Sequence, residues 1–222
     1  MKNFWLKLPT LFFILAPMED VTDITFRKMV RKANNGIPQV LFTEFTNCDG
    51  ICSVGQSKVI HRLKYDPNER PIVAQIWGKT PQNYEETARL CLELGFDGID
   101  INMGCPEKSV IKQGACSALI NNQPLAKQII TACKRGTNGK IPISVKTRIG
   151  FNKIQTNEWI RFLLEQNIQA LTVHGRTVAG SDQPANWTEI KRSVEINNQL
   201  NIDLKAKKIN WIKQIEELYT LH

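Results

Sequence analysis

Cys105 sits in the segment Ile99-Asp100-Ile101-Asn102-Met103-Gly104-Cys105-Pro106, where a short apolar run gives way to a turn marked by glycine and proline. A thiol on such a loop is positioned by the backbone and can act as a nucleophile or as a proton donor. The protonated form is the majority species at neutral pH unless the pKa is strongly depressed, so a donor role requires no special activation. Cys91 and Cys133 fall within helical patterns and read as small apolar fillers. Polar residues close the other apolar runs as well: Ala16-Pro17-Met18, Gln75, Asn102, Lys146-Thr147-Arg148 and His174-Gly175-Arg176. A single lysine or histidine in such a place is ordinarily a solvated or hydrogen-bonded structural residue. Several at equivalent places supply an amide, a cation and an imidazole to one pocket, which suits a planar polar ligand carrying negative charge.

Those residues converge only if the chain is built to bring strand ends together. Short apolar runs alternate with longer helical patterns, the signature of repeated βα units around a parallel sheet buried on both faces. The predicted strands are Phe12–Ala16, Val40–Phe45, Ile72–Ile76, Gly98–Ile101, Ile143–Lys146 and Ala170–His174, and the predicted helices are Thr22–Lys32, Thr80–Leu94, Pro124–Lys134 and Asn157–Gln166. Thr80-Pro81 supplies an N-cap followed by proline in the first turn, and Gly95 supplies the stop. In a parallel α/β barrel the loops after the strands share one mouth, and function collects there. A last helix is predicted at Ile209–Leu221, but the stretch Asp203–Lys208 before it is too charged for a buried strand.

At 222 residues the chain is long enough for one large domain, yet shorter than the roughly 250 residues of a complete eight-stranded barrel. A hydrophobic fraction of 42% and a charged fraction of 23% are those of an ordinary globular fold and exclude a fibrous or largely disordered chain. The net charge of +8 favours polyanionic partners such as nucleic acid or an anionic membrane. The six cysteines form no C-x-x-C pair and no zinc-finger spacing with histidine, so no metal is expected and reduced thiols in the cytoplasm are. The run Leu11–Ala16 after Lys2 and Lys7 has some character of a signal peptide, but Pro9 and its shortness argue against one, and nothing else approaches the roughly 20 apolar residues of a membrane span.

Four motifs, in order, resemble those of the tRNA-dihydrouridine synthase family: Ala16-Pro17-Met18-Glu19-Asp20-Val21-Thr22-Asp23, Asn102-Met103-Gly104-Cys105-Pro106, Val145-Lys146-Thr147-Arg148-Ile149-Gly150 and His174-Gly175-Arg176-Thr177. The resemblance runs from near the N-terminus to Asn201. It implies an FMN-dependent TIM-type (β/α)8 barrel that reduces the C5=C6 bond of a uridine in tRNA, with NADPH as the reductant. Carried over position by position, Cys105 matches the proton donor to C5. Pro17, Met18, Gln75, Lys146 and His174 match positions that hold FMN, and Asn102 and Arg148 match positions near the target uridine and its RNA. Reducing a uracil within folded RNA further implies that the base is extruded into the pocket.

The resemblance further implies an Asn-Gly-Asp motif on a seventh strand and a Gly-Arg pair on an eighth, which together bind the flavin phosphate; neither follows His174-Gly175-Arg176 in this sequence. The expectation is therefore an incomplete barrel of about six βα units over residues 1–202, with a disrupted strand-seven region and terminal helix in 203–222. Leu204–Lys208 would mark a local deletion or frame disruption, and the family's C-terminal helical tRNA-binding domain would be absent. Two alternatives share much of this pattern: a non-catalytic RNA-binding remnant, and another flavin barrel acting on a free pyrimidine, which would not need Arg148 or the basic balance.

Overall fold

The protein is described by a computed structural model over residues 3–35 and 37–203. The expected disruption at Leu204–Lys208 and helix Ile209–Leu221 lie outside the described residues. Seven strands form one sheet: β1 (Ile14–Leu15), β2 (Val40–Phe42), β3 (Thr46–Asn47), β4 (Ile72–Trp77), β5 (Gly98–Met103), β6 (Ile143–Arg148) and β7 (Ala170–His174). Their order is β1-β2-β4-β5-β6-β7, every pair is parallel, and β3 also pairs with β4. Helices α1 (Ile24–Ala33), α2 (Cys48–Ile51), α3 (Pro81–Glu93), α4 (Lys108–Lys112), α5 (Gln123–Thr137), α6 (Thr156–Glu165) and α7 (Trp187–Asp203) complete the βα repeats. This is the parallel barrel architecture that the alternation predicts, with six consecutive strand positions.

The second predicted strand, Val40–Phe45, is interrupted in the structure. Thr43 donates its N–H to the Val73 carbonyl, but the next bond from β4 runs from the Gln75 N–H to the Thr43 hydroxyl at 3.1 Å. A side-chain oxygen has replaced a main-chain carbonyl, so pairing lapses until β3. The lapse frees Glu44 to turn toward the mouth, where its carboxylate accepts from the Asp20 N–H at 3.0 Å.

Helix ends follow the local sequence with two corrections. The helix predicted from Thr22 begins at Ile24, and Asp23 caps it by accepting from the Phe26 N–H. Thr22 instead closes the preceding turn, accepting from the Met18 N–H and donating to the Met18 carbonyl, which sets the Pro17-Met18 loop. Thr80 stands at the N-cap of α3 but its hydroxyl makes no capping bond, so Pro81, whose fixed φ suits the first turn, starts that helix. Gly95 ends it at φ +82°, a left-handed conformation that favours glycine.

Side chains alternate across each strand, so one sequence serves two cores. Ile99, Ile101, Met103, Val145 and Leu171 join Ala88, Ile129, Trp159 and Leu163 of the helices in the main apolar cluster. The opposite face is the barrel interior, and it is layered. At the start of the strands Phe12, Val40, Phe42, Val73 and Ala170 pack together around Trp5, which the turn Phe4–Lys7 inserts as a plug. Above that apolar floor the same face carries Gln75, Asp100, Ser144, Asn102, Lys146, Arg148 and His174.

Two contacts tie the outer layer to this frame. Arg27 of α1 meets Glu69 at 2.8 Å with both side chains 1% exposed, and it also donates to the Thr22 and Lys64 carbonyls. Helices α3 and α5 approach so closely at Gly136 that a Cβ there would collide with the Glu85 carbonyl oxygen and lie 2.8 Å from the Ala88 Cβ.

Candidate active site

The polar layer above the apolar floor is held by one row of hydrogen bonds that converges on Asp100. Ser144 donates its hydroxyl to Asp100 at 2.6 Å, and Gln75 donates its amide N–H to the other Asp100 oxygen at 2.7 Å. The Gln75 carbonyl accepts from the Asn102 amide at 3.1 Å, and the Asn102 carbonyl accepts from the N–H groups of Gly104 and Cys105, each at 3.0 Å. An acceptor-only carboxylate at one end thus dictates which way both amides face, and the last amide fixes the cysteine loop. Arg148 clamps that loop from β6, donating to the Gly104 carbonyl at 2.7 Å and to the Thr177 carbonyl at 3.2 Å.

Register places the expected residues around one mouth. Lys146 stands beside Asn102, and His174 beside Arg148, on adjacent strands. Pro17 and Met18 occupy the loop after β1, and Cys105 the loop after β5. Gln75 is fully buried beneath the rim with its amide bonded to Asp100 and Asn102, and Asn102 is 6% exposed. Their observed work is to hold the cysteine loop; Arg148, 7% exposed, joins that loop to the one after β7.

The electrostatics of the mouth separate its titrating groups. Cys105 is lowered to about 6 by a hydrogen bond from the Cys116 thiol, aided by the Glu107 N–H and the Arg148 charge, against partial burial and the Glu107 carboxylate. At that value the thiolate predominates at neutral pH, so the resting chain meets the strong-depression condition under which an unassisted thiol donor no longer holds. His174 is lowered to about 3 by desolvation and by the positive charges of Lys146, Arg148 and Arg176, so its imidazole is neutral. Burial raises Asp100 to about 6 despite the bonds from Ser144 and Gln75. Glu19 is raised to about 7 by desolvation, which outweighs Arg62, 2.6 Å away; Asp20, Glu44 and Cys105 add to the rise.

Reading strand ends missed Asp100, Ser144, Cys116 and Glu19. The period-two spacing Asp100-x-Asn102 and Ser144-x-Lys146-x-Arg148 carried the signal for the first two, since each places like-facing polar residues within one strand. No sequence spacing announces Cys116, which reaches Cys105 through a turn. Among the described residues no three His, Cys, Asp or Glu side chains gather as a metal site, and no helix is long and apolar enough to cross a membrane. A groove of about 530 Å³ between the starts of α6 and α7 is lined by Lys153, Lys191 and Arg192 but equally by Glu158, Glu189 and Glu195. It shares no lining residue with the Cys105 mouth and concentrates no positive field.

The donor set fits a flavin. Lys146 and Arg176 are cationic, His174 is neutral at physiological pH, and the Arg176 Nε is buried without an acceptor. Such a mouth favours a ligand with several acceptor atoms and developing negative charge.

Comparison with known proteins supplies the family. The dihydrouridine synthase (Dus) model matches residues 14–206. A Bacillus subtilis (strain 168) protein named "Probable tRNA-dihydrouridine synthase 2" is 43% identical over 205 residues, covering 91% of this chain and 62% of that protein. A Staphylococcus epidermidis (strain ATCC 35984) protein named "Probable tRNA-dihydrouridine synthase" is 46% identical over 178 residues, covering 79% and 53%. The chain therefore spans about three fifths or less of the length of these curated relatives. Among solved structures, an old yellow enzyme homologue from Zymomonas mobilis superposes with a TM-score of 0.50 at 15% identity, over 87% of this chain and 81% of that one. That likeness concerns the fold alone.

Proposed function

This chain belongs to the dihydrouridine synthase family, and we propose that it carries the FMN-binding and catalytic part of an enzyme that reduces the C5=C6 bond of uridines in tRNA, with NADPH as reductant. The observation that carries the reading is the hydrogen-bond row from Ser144 to Asn102, which fixes Cys105 at the rim of a mouth furnished with Lys146 and His174. Pro17, Met18, Lys146 and His174 would hold the flavin, with Gln75 supporting it from below. Bound there, FMN supplies a hydride for C6 of the uracil ring.

Cys105 supplies the proton for C5. At a resting pKa of about 6, roughly one thiol in ten is protonated at pH 7. A uracil seated over the mouth displaces water and disfavours the thiolate, which pushes the pKa back up and restores the donor form. Lys146 stabilises negative charge on the reduced ring system, and neutral His174 offers a hydrogen bond without adding a cation. Arg148 steadies the cysteine loop at the place where the RNA would enter. Six free thiols suit the reducing cytoplasm in which tRNA is modified.

The test is an FMN titration followed by flavin fluorescence and melting temperature together, then incubation with NADPH and tRNA. Saturable quenching, a raised melting temperature and uridines heavier by two hydrogens are expected. Cys105→Ala should lose turnover and keep the flavin, whereas Lys146→Ala should weaken flavin binding and its reduction. A folded chain that binds no flavin overturns the reading, and reduction of free uridine unaffected by excess tRNA would replace it with the free-pyrimidine alternative.

A further inference from the structure

Cys116 has no part in the proposed reduction, yet Cys105 packs on the cluster to which it belongs. It is 0% exposed and held at φ +51° at the start of the 3-10 turn Cys116–Asn121. Val110, Ala115 and Cys116 form a small apolar cluster on which Cys105 and Trp77 pack, so packing keeps the two cysteines side by side. Cys105 is partly open to solvent, whereas Cys116 is closed off behind it. The arrangement pairs an accessible thiol with a sheltered one in contact with it. The other cysteines differ: Cys48, Cys91 and Cys133 are buried, and exposed Cys52 contacts the Asn83 carbonyl.

We propose that Cys105 and Cys116 are a modification site at which a peroxide converts the two thiols into a reversible disulfide. The Cys105 thiolate attacks one peroxide oxygen, breaking the O–O bond to give a sulfenic acid and hydroxide. The Cys116 sulfur then attacks the sulfenic sulfur, forming the S–S bond as the hydroxyl leaves, with the Cys116 proton, as water. Overall the two thiols lose two electrons and two protons, and hydrogen peroxide becomes two waters. A dithiol restores both groups by exchange. Cys116 thereby intercepts the sulfenic acid before further oxidation makes the loss irreversible. This chemistry stands without the proposed reaction; its meaning, a reversible pause in uridine reduction, rests on that reading.

The test uses the full reduced chain, mild hydrogen peroxide, and mass spectrometry, so it reads sulfur chemistry and not turnover. The expected product is lighter by about 2 Da, with four thiols titrating after denaturation in place of the six of the reduced chain. Trypsin should release peptide 90–108 joined to peptide 113–127, with fragmentation placing the link at Cys105 and not at Cys91. Dithiothreitol should return the original mass. Cys116→Ser should instead gain about 32 Da at Cys105, resistant to dithiothreitol. If that variant does not fold, the wild-type peptide map decides. A wild-type chain that accumulates Cys105 sulfinic acid with Cys116 still free, or that links Cys105 to another cysteine, overturns the proposal.

Discussion

Cys105 departs from an ordinary thiol because a neighbouring thiol, Cys116, stabilises its thiolate as a hydrogen-bond donor. Its alkylation should show this directly. Thiolate fraction favours a pKa of about 6 over the usual 8.5 most strongly in acid, while the lower basicity of such a thiolate costs it about tenfold in intrinsic nucleophilicity. Iodoacetamide at pH 5.5 should therefore label Cys105 roughly tenfold faster than an unperturbed thiol, with the advantage gone by pH 8; peptide mapping across that range checks it. His174 makes a second prediction. Its folded pKa of about 3 lies below the unfolded value near 6.5, so the unfolded chain takes up the extra proton and stability falls as pH drops below 6.5. Asp100, raised to about 6, acts the other way, its contribution being present at low pH and lost as pH rises through 6. His174→Gln should hence flatten or reverse the fall in melting temperature between pH 6.5 and 4. The residues at the mouth were legible as strand-end polar positions. Their protonation was not, because it depends on which charges and sulfurs become neighbours in space.

Six βα units could be read from apolar runs because a strand buried on both faces must be apolar at nearly every step, and each predicted strand overlaps one observed. What escaped were elements too short for a helical period to declare itself, such as α2, α4 and the turn Cys116–Asn121, and the interruption of the second strand by the Thr43 hydroxyl. The layered interior also went unread, since runs such as Ile143–Arg148 hide a polar face within an apolar segment. Gly136 shows a constraint of the same scale. With no room for a Cβ between α5 and the Glu85 carbonyl, Gly136→Ala must push the two helices apart. Overpacking of this kind costs about 1–3 kcal/mol, a drop of roughly 2–12 °C in melting temperature for a domain of this size, which thermal denaturation would measure.

Among the described residues, β1 and β7 each pair with a single strand, so the curved sheet has two lateral margins. Open strand margins template pairing with other chains, and the segment at β1 adds exposed Leu11 and Phe13. Light scattering should accordingly rise with protein concentration, and Phe13→Lys should suppress that rise while shifting the melting temperature by no more than about 2 °C. The chain covers 62% of the Bacillus subtilis relative, and among the described residues six barrel positions and the hydrogen-bond row from Ser144 to Asn102 lie within that share.

The order of donors and acceptors that runs from the cysteine loop back to Asp100 also governs how this protein can change over generations. Asparagine at position 100 fits only with its oxygen toward the Gln75 amide and its N–H2 toward Ser144, whose hydroxyl must then accept there and donate to the Ile99 carbonyl; the opposite orientation sets two amide donors against each other, and turning Gln75 around merely hands that conflict to Asn102. Each step outward moves the mismatch nearer the loop that holds the thiol. Ser144 can reverse its role, whereas replacing Gln75 or Asn102 must be answered by its neighbour, so Asp100, Gln75 and Asn102 would be inherited together while position 144 is freer to vary.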